Sequence, residues 1–213
     1  MGRHKTISDD DVLAAARRVF REQGHAASTR DIARFAGVSQ AVLYQRFGNK
    51  DELFFTAMAP SAPDLEHIFG PSAPGQDAHA YLLGVVERMA GYFSEVLPVA
   101  IQVMMHPSFD MKNFTKFQHM NAAAQLGGSL ARRLQAFERQ GQISPGTADA
   151  AAGLLTTLAH DWGLRSAMSR ADPVTGRREL TRMIEVVWHG LAPSGGAARA
   201  RSKPTRRRGA SSG

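Results

Sequence analysis

Eight side chains between residues 29 and 50 have the types needed to touch a nucleic acid: Thr29, Arg30, Gln40, Ala41, Tyr44, Gln45, Arg46 and Lys50. Gln40 carries an amide that can pair with the edge of adenine, and Arg30 a guanidinium suited to guanine or to phosphate. Ala41 can offer its methyl to thymine, while Tyr44 and Arg46 suit phosphate or base-edge contacts, with Gln45 polar beside them. Lys50 is placed to clamp a phosphate with help from a helix N-terminus, and Thr29 to do the same at another helix. Rival chemistries are thinly represented. The chain has no cysteine, so it has no disulfide framework, thiolate metal site or thiol redox switch. Its eight histidines show neither an HExxH pattern nor an i, i+4 pair, so no metal is expected. His160 and Asp161 with Ser166 or Ser169 lack a nucleophile elbow. Neither catalysis nor a cofactor is expected.

The first set converges only if short helices hold it. Ser8 is positioned as an N-cap with Asp11 three residues on, and Val12, Ala15, Ala16, Val19 and Phe20 form one apolar stripe ending at Gly24. Ser28 or Thr29 caps a second helix with Ile32, Ala33 and Ala36 inward, and Gly37-Val38 makes a turn. Ser39 caps a third helix ending near Phe47, and Asn49 with Glu52 caps a fourth beginning at Lys50. Two short helices crossing steeply need a small residue at the contact, supplied by Ala33, and a residue tolerant of positive φ in the turn, supplied by Gly37. Ile32, Val38 and Leu43 pin the second of the pair, leaving Gln40, Tyr44, Gln45 and Arg46 on its outer face. The pattern predicts a helix-turn-helix.

Residues 7–55 closely resemble the N-terminal domain of the TetR family of bacterial regulators. The likeness is carried by Ala14-Ala15, Phe20, Gly24, Thr29-Arg30-Asp31-Ile32-Ala33, Ala36-Gly37-Val38-Ser39, Leu43-Tyr44, Phe47, and Asn49-Lys50 with Leu53. Two positions depart from it: Ala41 and Val42 stand where the family often has Gly or Pro and then Thr. Val42 cannot donate a hydrogen bond to phosphate, so that contact should be missing. The resemblance implies a homodimer on a palindromic operator of double-stranded DNA, and a larger domain with a ligand cavity beneath the fourth helix. It also implies that a small-molecule effector shifts that helix, changes the spacing of the two reading heads and releases DNA.

Beyond residue 55 helical spacing recurs and strand signals are scarce, so the chain reads as all-α: a three-helix DNA-binding domain, then a larger helical ligand-binding and dimerisation domain. The expected boundaries are residues 1–50, 51–192 and a disordered basic tail at 193–213. The net charge of +7 sits at the ends: +4 over residues 1–50, −3 over 51–192 and +6 over 193–213. Basic ends are the footprint of phosphate binding. Arg3 and Lys5 either form an arm on the DNA backbone or are idle, and the tail either adds salt-dependent affinity or only solubilises. Residues 59–77 read as a loop with one turn near Leu65 to Phe69. Helices are expected over 77–96, after Pro98, over 113–140, over 147–169 and over 177–191.

Met and aromatic residues crowd the middle. Met58, Met89, Phe93, Met104, Met105, Phe117 and Met120, with His160 as a polar anchor, are the candidate pocket for an apolar or aromatic ligand, although each such position is more often ordinary core than pocket. Leu155, Leu158, Trp162, Met183, Val187 and Trp188 on the last two helices are the candidate dimer interface. No apolar run has the length of a membrane span, and no secretory signal is read, so a cytoplasmic location is expected. The leading expectation is a repressor released by ligand. An activator, or a regulator without an effector, fits the same fold; an all-helical enzyme or a general DNA-coating protein is the remoter alternative.

Overall fold

The computed structural model describes residues 7–71, 75–110, 121–168 and 173–191. Among them, α1 (Asp9–Gln23) begins with a complete capping box: the Ser8 side chain accepts from the Asp11 N–H, and the Asp11 carboxylate accepts from the Ser8 N–H. Three aspartates in its first turn complement the positive end of the helix dipole. A 3-10 turn (Gly24–Ala26) leads to α2 (Thr29–Ala36), capped by Ser28. Gly37 then adopts a left-handed conformation at φ 70°, and the Val38 N–H reaches back to the Ala33 carbonyl. That closure turns the chain into α3 (Gln40–Phe47). α4 (Lys50–Ala57) starts on a second capping box, Asn49 with Glu52.

These four helices share one core. Val12, Ala16, Val19 and Phe20 of α1 meet Ile32, Ala33, Leu43, Leu53, Phe54, Ala57 and Met58. Phe20 and Phe54 pack edge to face with ring centroids 5.0 Å apart. Fully burying such side chains stabilises the fold by about 1.5–3 kcal/mol each. The first core therefore runs past residue 50, because α4 supplies a large part of the packing that supports α3.

The remaining helices are α5 (Leu65–Phe69), α6 (Ala78–Met104), α7 (Ala122–Arg139), α8 (Ala148–Met168) and α9 (Pro173–Leu191). α5 is the turn expected near Leu65. The break expected at Pro98 does not occur: α6 is one helix of 27 residues with Pro98 inside it. Proline removes one backbone donor, but packing on both sides of it holds the helix together. Before Pro98, Tyr81, Leu82, Val85, Val86, Met89, Ala90 and Phe93 face a second core made with α7, α8 and α9; after it, Val99 and Val103 face the α1–α4 core. Gly163 lets α8 approach α6 closely, since a Cβ there would lie 2.5 Å from Phe93 Cβ and 2.8 Å from the Ser94 nitrogen. α9 begins four residues earlier than its spacing predicts. The expected basic tail, Arg3, Lys5, Phe117 and Met120 lie outside the described residues.

Candidate nucleic-acid interface

α3 buries Leu43 alone among its residues and is pinned by it, with Val42 and Phe47 half-buried at its flanks. Gln40, Ala41, Tyr44, Gln45 and Arg46 lie outside the core, as the spacing predicts. Tyr44 is 47% exposed, a large ring left in water. The Ser39 side chain accepts from the Val42 N–H, which fixes the first turn of the helix. Arg30 in α2 is exposed, and Thr29 and Lys50 open α2 and α4 half-buried. The structure thus brings together the first turns of α2 and α4 with the outer face of α3.

Four of these residues have partners that their types did not announce. Arg46 donates from Nη1 to the Ile7 carbonyl at 2.8 Å and to Asp9 Oδ1 at 3.1 Å, tying α3 to the start of α1. Its guanidinium is therefore a brace as well as a positive charge. Gln40 Nε2 donates to Thr29 Oγ1 at 3.0 Å, and the Thr29 and Tyr44 hydroxyls lie 3.0 Å apart. Pairing across 11 and 15 residues has no signal in the sequence beyond the presence of suitable groups. Gly48 was also missed. It has φ 75°, and a Cβ there would collide with the Glu52 carboxylate that completes the α4 cap.

α4 is held at both ends. Arg17 of α1 donates to the Ala57 carbonyl at 2.6 Å and to the Ala59 carbonyl at 3.0 Å. At the other end the Ser108 hydroxyl donates to the Asp51 carboxylate, and His106 Nε2 stands 3.7 Å from Asp51 Oδ1. His106, just past α6, is buried against Phe54, Phe55 and His25. Its Nδ1 accepts from the Ser108 N–H at 3.1 Å, which puts the ring proton of the neutral form on Nε2, towards Asp51. Burial pushes its pKa down; Asp51 opposes that shift, while His25 and Lys50 add to it.

The candidate pocket residues separate. Met89 and Phe93 are buried in the α6–α9 core, with His160 edge-on to Phe93 at 5.1 Å, whereas Met58 belongs to the α1–α4 core. Met104 and Met105 do not join them: they stand exposed at the end of α6, because the helix turns its Val99 and Val103 face to the core instead. The dimer candidates also divide. Leu155 is fully buried between α6, α7 and α8, so it cannot meet a second copy. Leu158, Trp162, Val187 and Trp188 are partly buried against the same core, and Met183 is half-buried. Among the described residues, the large apolar side chains that α8 and α9 leave in water are Leu154, Met168 and Val186. Among the described residues no group of three or more His, Asp or Glu could hold a metal ion, and no helix is long and apolar enough to cross a membrane.

A capped helix-turn-helix supported by a fourth helix and joined to a larger all-α body defines the class: a helical regulator with an N-terminal DNA-binding domain. Residues 12–57 match the sequence profile of bacterial regulatory proteins of the tetR family, and the fold of the chain is similar to that of solved TetR-family structures. A Mesorhizobium loti structure assigned to the TetR-family transcriptional regulators superposes with a TM-score of 0.67 at 17% identity, covering 90% of this chain and all of that one. A transcriptional regulator from Rhodococcus sp. Rha1 gives 0.61 at 21% identity, over 88% and 99% of the two chains. NalD, the secondary repressor of the MexAB-OprM multidrug efflux pump in Pseudomonas aeruginosa, gives 0.54 at 21% identity, over 86% and 95%. At such identities the likeness is one of fold. No curated protein matches the chain by sequence.

Proposed function

We propose that the protein is a dimeric repressor that binds a palindromic operator and leaves it when a small apolar or aromatic ligand occupies the α6–α9 body. The observation that carries this reading is the outer face of α3, where Gln40, Ala41, Tyr44 and Gln45 stand in water beside the first turns of α2 and α4. A rigid helix with hydrogen-bonding side chains on its exposed face suits the major groove, and the flanking helix N-termini suit phosphates. In this reading Arg30, Gln40 and Ala41 meet bases. Tyr44, Lys50 and the main-chain N–H of Thr29 at the start of α2 meet the backbone, with Gln45 and Arg46 at the edges. One such head reads few base pairs, so two copies about 34–36 Å apart supply the specificity.

Release follows from how α4 is held. Its ends are tied to α1 and to the residues just after α6, so a displacement of α6 by ligand is carried to Lys50 and to the seat of α3. A ligand acts this way only if it favours one arrangement of α6 over the other. NalD is itself a repressor, which agrees with a negative sign of regulation. Genome-wide mapping of bound sites tests the reading directly. A palindrome should emerge, and purified protein should shift it in preference to bulk competitor. Binding with no sequence preference, or by monomers, would refute it.

A further inference from the structure

We infer that Thr29 is a positioning residue: its hydroxyl fixes which end of the Gln40 amide faces a base and links that base contact to the backbone contact of Tyr44. This rests on the DNA-reading role proposed for α3. The three groups form a continuous chain, Gln40 Nε2 to Thr29 Oγ1 at 3.0 Å and Thr29 Oγ1 to the Tyr44 hydroxyl at 3.0 Å. Thr29 opens α2 just after its Ser28 cap, so its hydroxyl is held by the helix-turn-helix geometry rather than by α3 itself.

The donor and acceptor inventory decides what the arrangement selects. A glutamine amide has two N–H donors and one carbonyl acceptor. With one N–H given to Thr29, Gln40 keeps one donor and its whole acceptor, the pair that matches N7 and the N6 amine of adenine. The flipped amide would turn its carbonyl to Thr29 and present donors only, which matches O6 and N7 of guanine instead. When its own hydrogen is given to Tyr44, Thr29 can only accept from Gln40, and it then biases Gln40 towards adenine and against guanine.

The proton count then ties the second contact to the first. Thr29 has one hydrogen, and one of its lone pairs is taken by Gln40. When Tyr44 gives its own hydrogen to a phosphate oxygen, the hydrogen between the two hydroxyls must come from Thr29. Donation then runs in one sense from Gln40 through Thr29 and Tyr44 to phosphate, and each bond strengthens the next. In free protein the chain is wet and contributes little. Covered by a duplex, it loses water as a competitor and gains in effect.

Selection from a randomised duplex library, using the full chain, tests this with Thr29→Val, Thr29→Ser, Gln40→Ala and Tyr44→Phe. The base position whose preference changes in Gln40→Ala should select adenine in the unmodified protein. Thr29→Val should lose that preference about tenfold, with its melting temperature and salt dependence kept, and Thr29→Ser should restore it. Thr29→Val combined with Tyr44→Phe should lose less than the sum of the two single effects. Adenine preference retained in Thr29→Val but lost in Gln40→Ala would overturn the positioning role and leave the reading of α3 standing, as would a guanine at that position. Unchanged preferences in Gln40→Ala would overturn both.

Discussion

Lys50 and His106 stand at the two sides of one junction and answer to different chemistry. Lys50→Ala should weaken operator binding by about 1–3 kcal/mol, almost equally for all sequences, and lower the salt slope by about one, as titrations at several salt concentrations would show. His106 should set a pH dependence of stability. Its pKa in the folded protein lies below the usual 6.5, so between the two values the unfolded chain binds more protons. Stability due to the neutral ring is complete above pH 6.5 and falls away as pH drops through the folded value. Thermal melts from about pH 7.5 to 5 should show the loss, and His106→Asn, which can still accept from the Ser108 N–H, should be flatter over that window. The outer face of α3 was legible because cap, glycine and polar residues follow one another within a short stretch of sequence. Arg46 was only half legible: its charge is visible, but its brace to Ile7 and Asp9 spans 39 and 37 residues and exists only once α1 and α3 have packed.

Helix ends were the easiest elements to read, since Ser8, Ser28, Ser39 and Asn49 each sit before a run with helical period and each forms its cap. Pro98 misled for a physical reason. Its local cost to a helix is real, but Met89 and Phe93 on one side and Val99 and Val103 on the other gain more by staying in line. Tertiary packing also decides the role of Gly163 in α8: the helix it admits is α6 of the same chain. Gly163→Ala should therefore push α6 and α8 apart and cost about 1–3 kcal/mol, read as a lower denaturant midpoint with the slope kept. Gly153, with nothing within 4 Å of an added Cβ, should accept alanine at no such cost.

For the whole molecule, assembly was the least legible property, because core and interface draw on the same residue types. Apolar periodicity in α8 and α9 cannot say that Leu155 is fully buried while Leu154 is 62% and Val186 73% exposed. In the proposed dimer those last two belong to the contact between copies, since they are apolar, exposed and on the closing pair of helices. Leu154→Glu with Val186→Glu should yield a folded monomer by sedimentation, with helical content kept and operator affinity greatly reduced. A variant that stays dimeric would move the interface elsewhere.

The unbroken α6 has one more consequence, for how the molecule comes apart. At about 1.5 Å per residue its 27 residues run some 40 Å, and it lends apolar side chains to both cores. The reading head therefore owns no complete interior of its own. A fragment ending at residue 57 would uncover the flank of Phe20 and Phe54 that Val99 and Val103 help to close, and would collapse into a loosely packed state that stains with hydrophobic dyes. The intact chain, sharing one axle, should melt in a single calorimetric step.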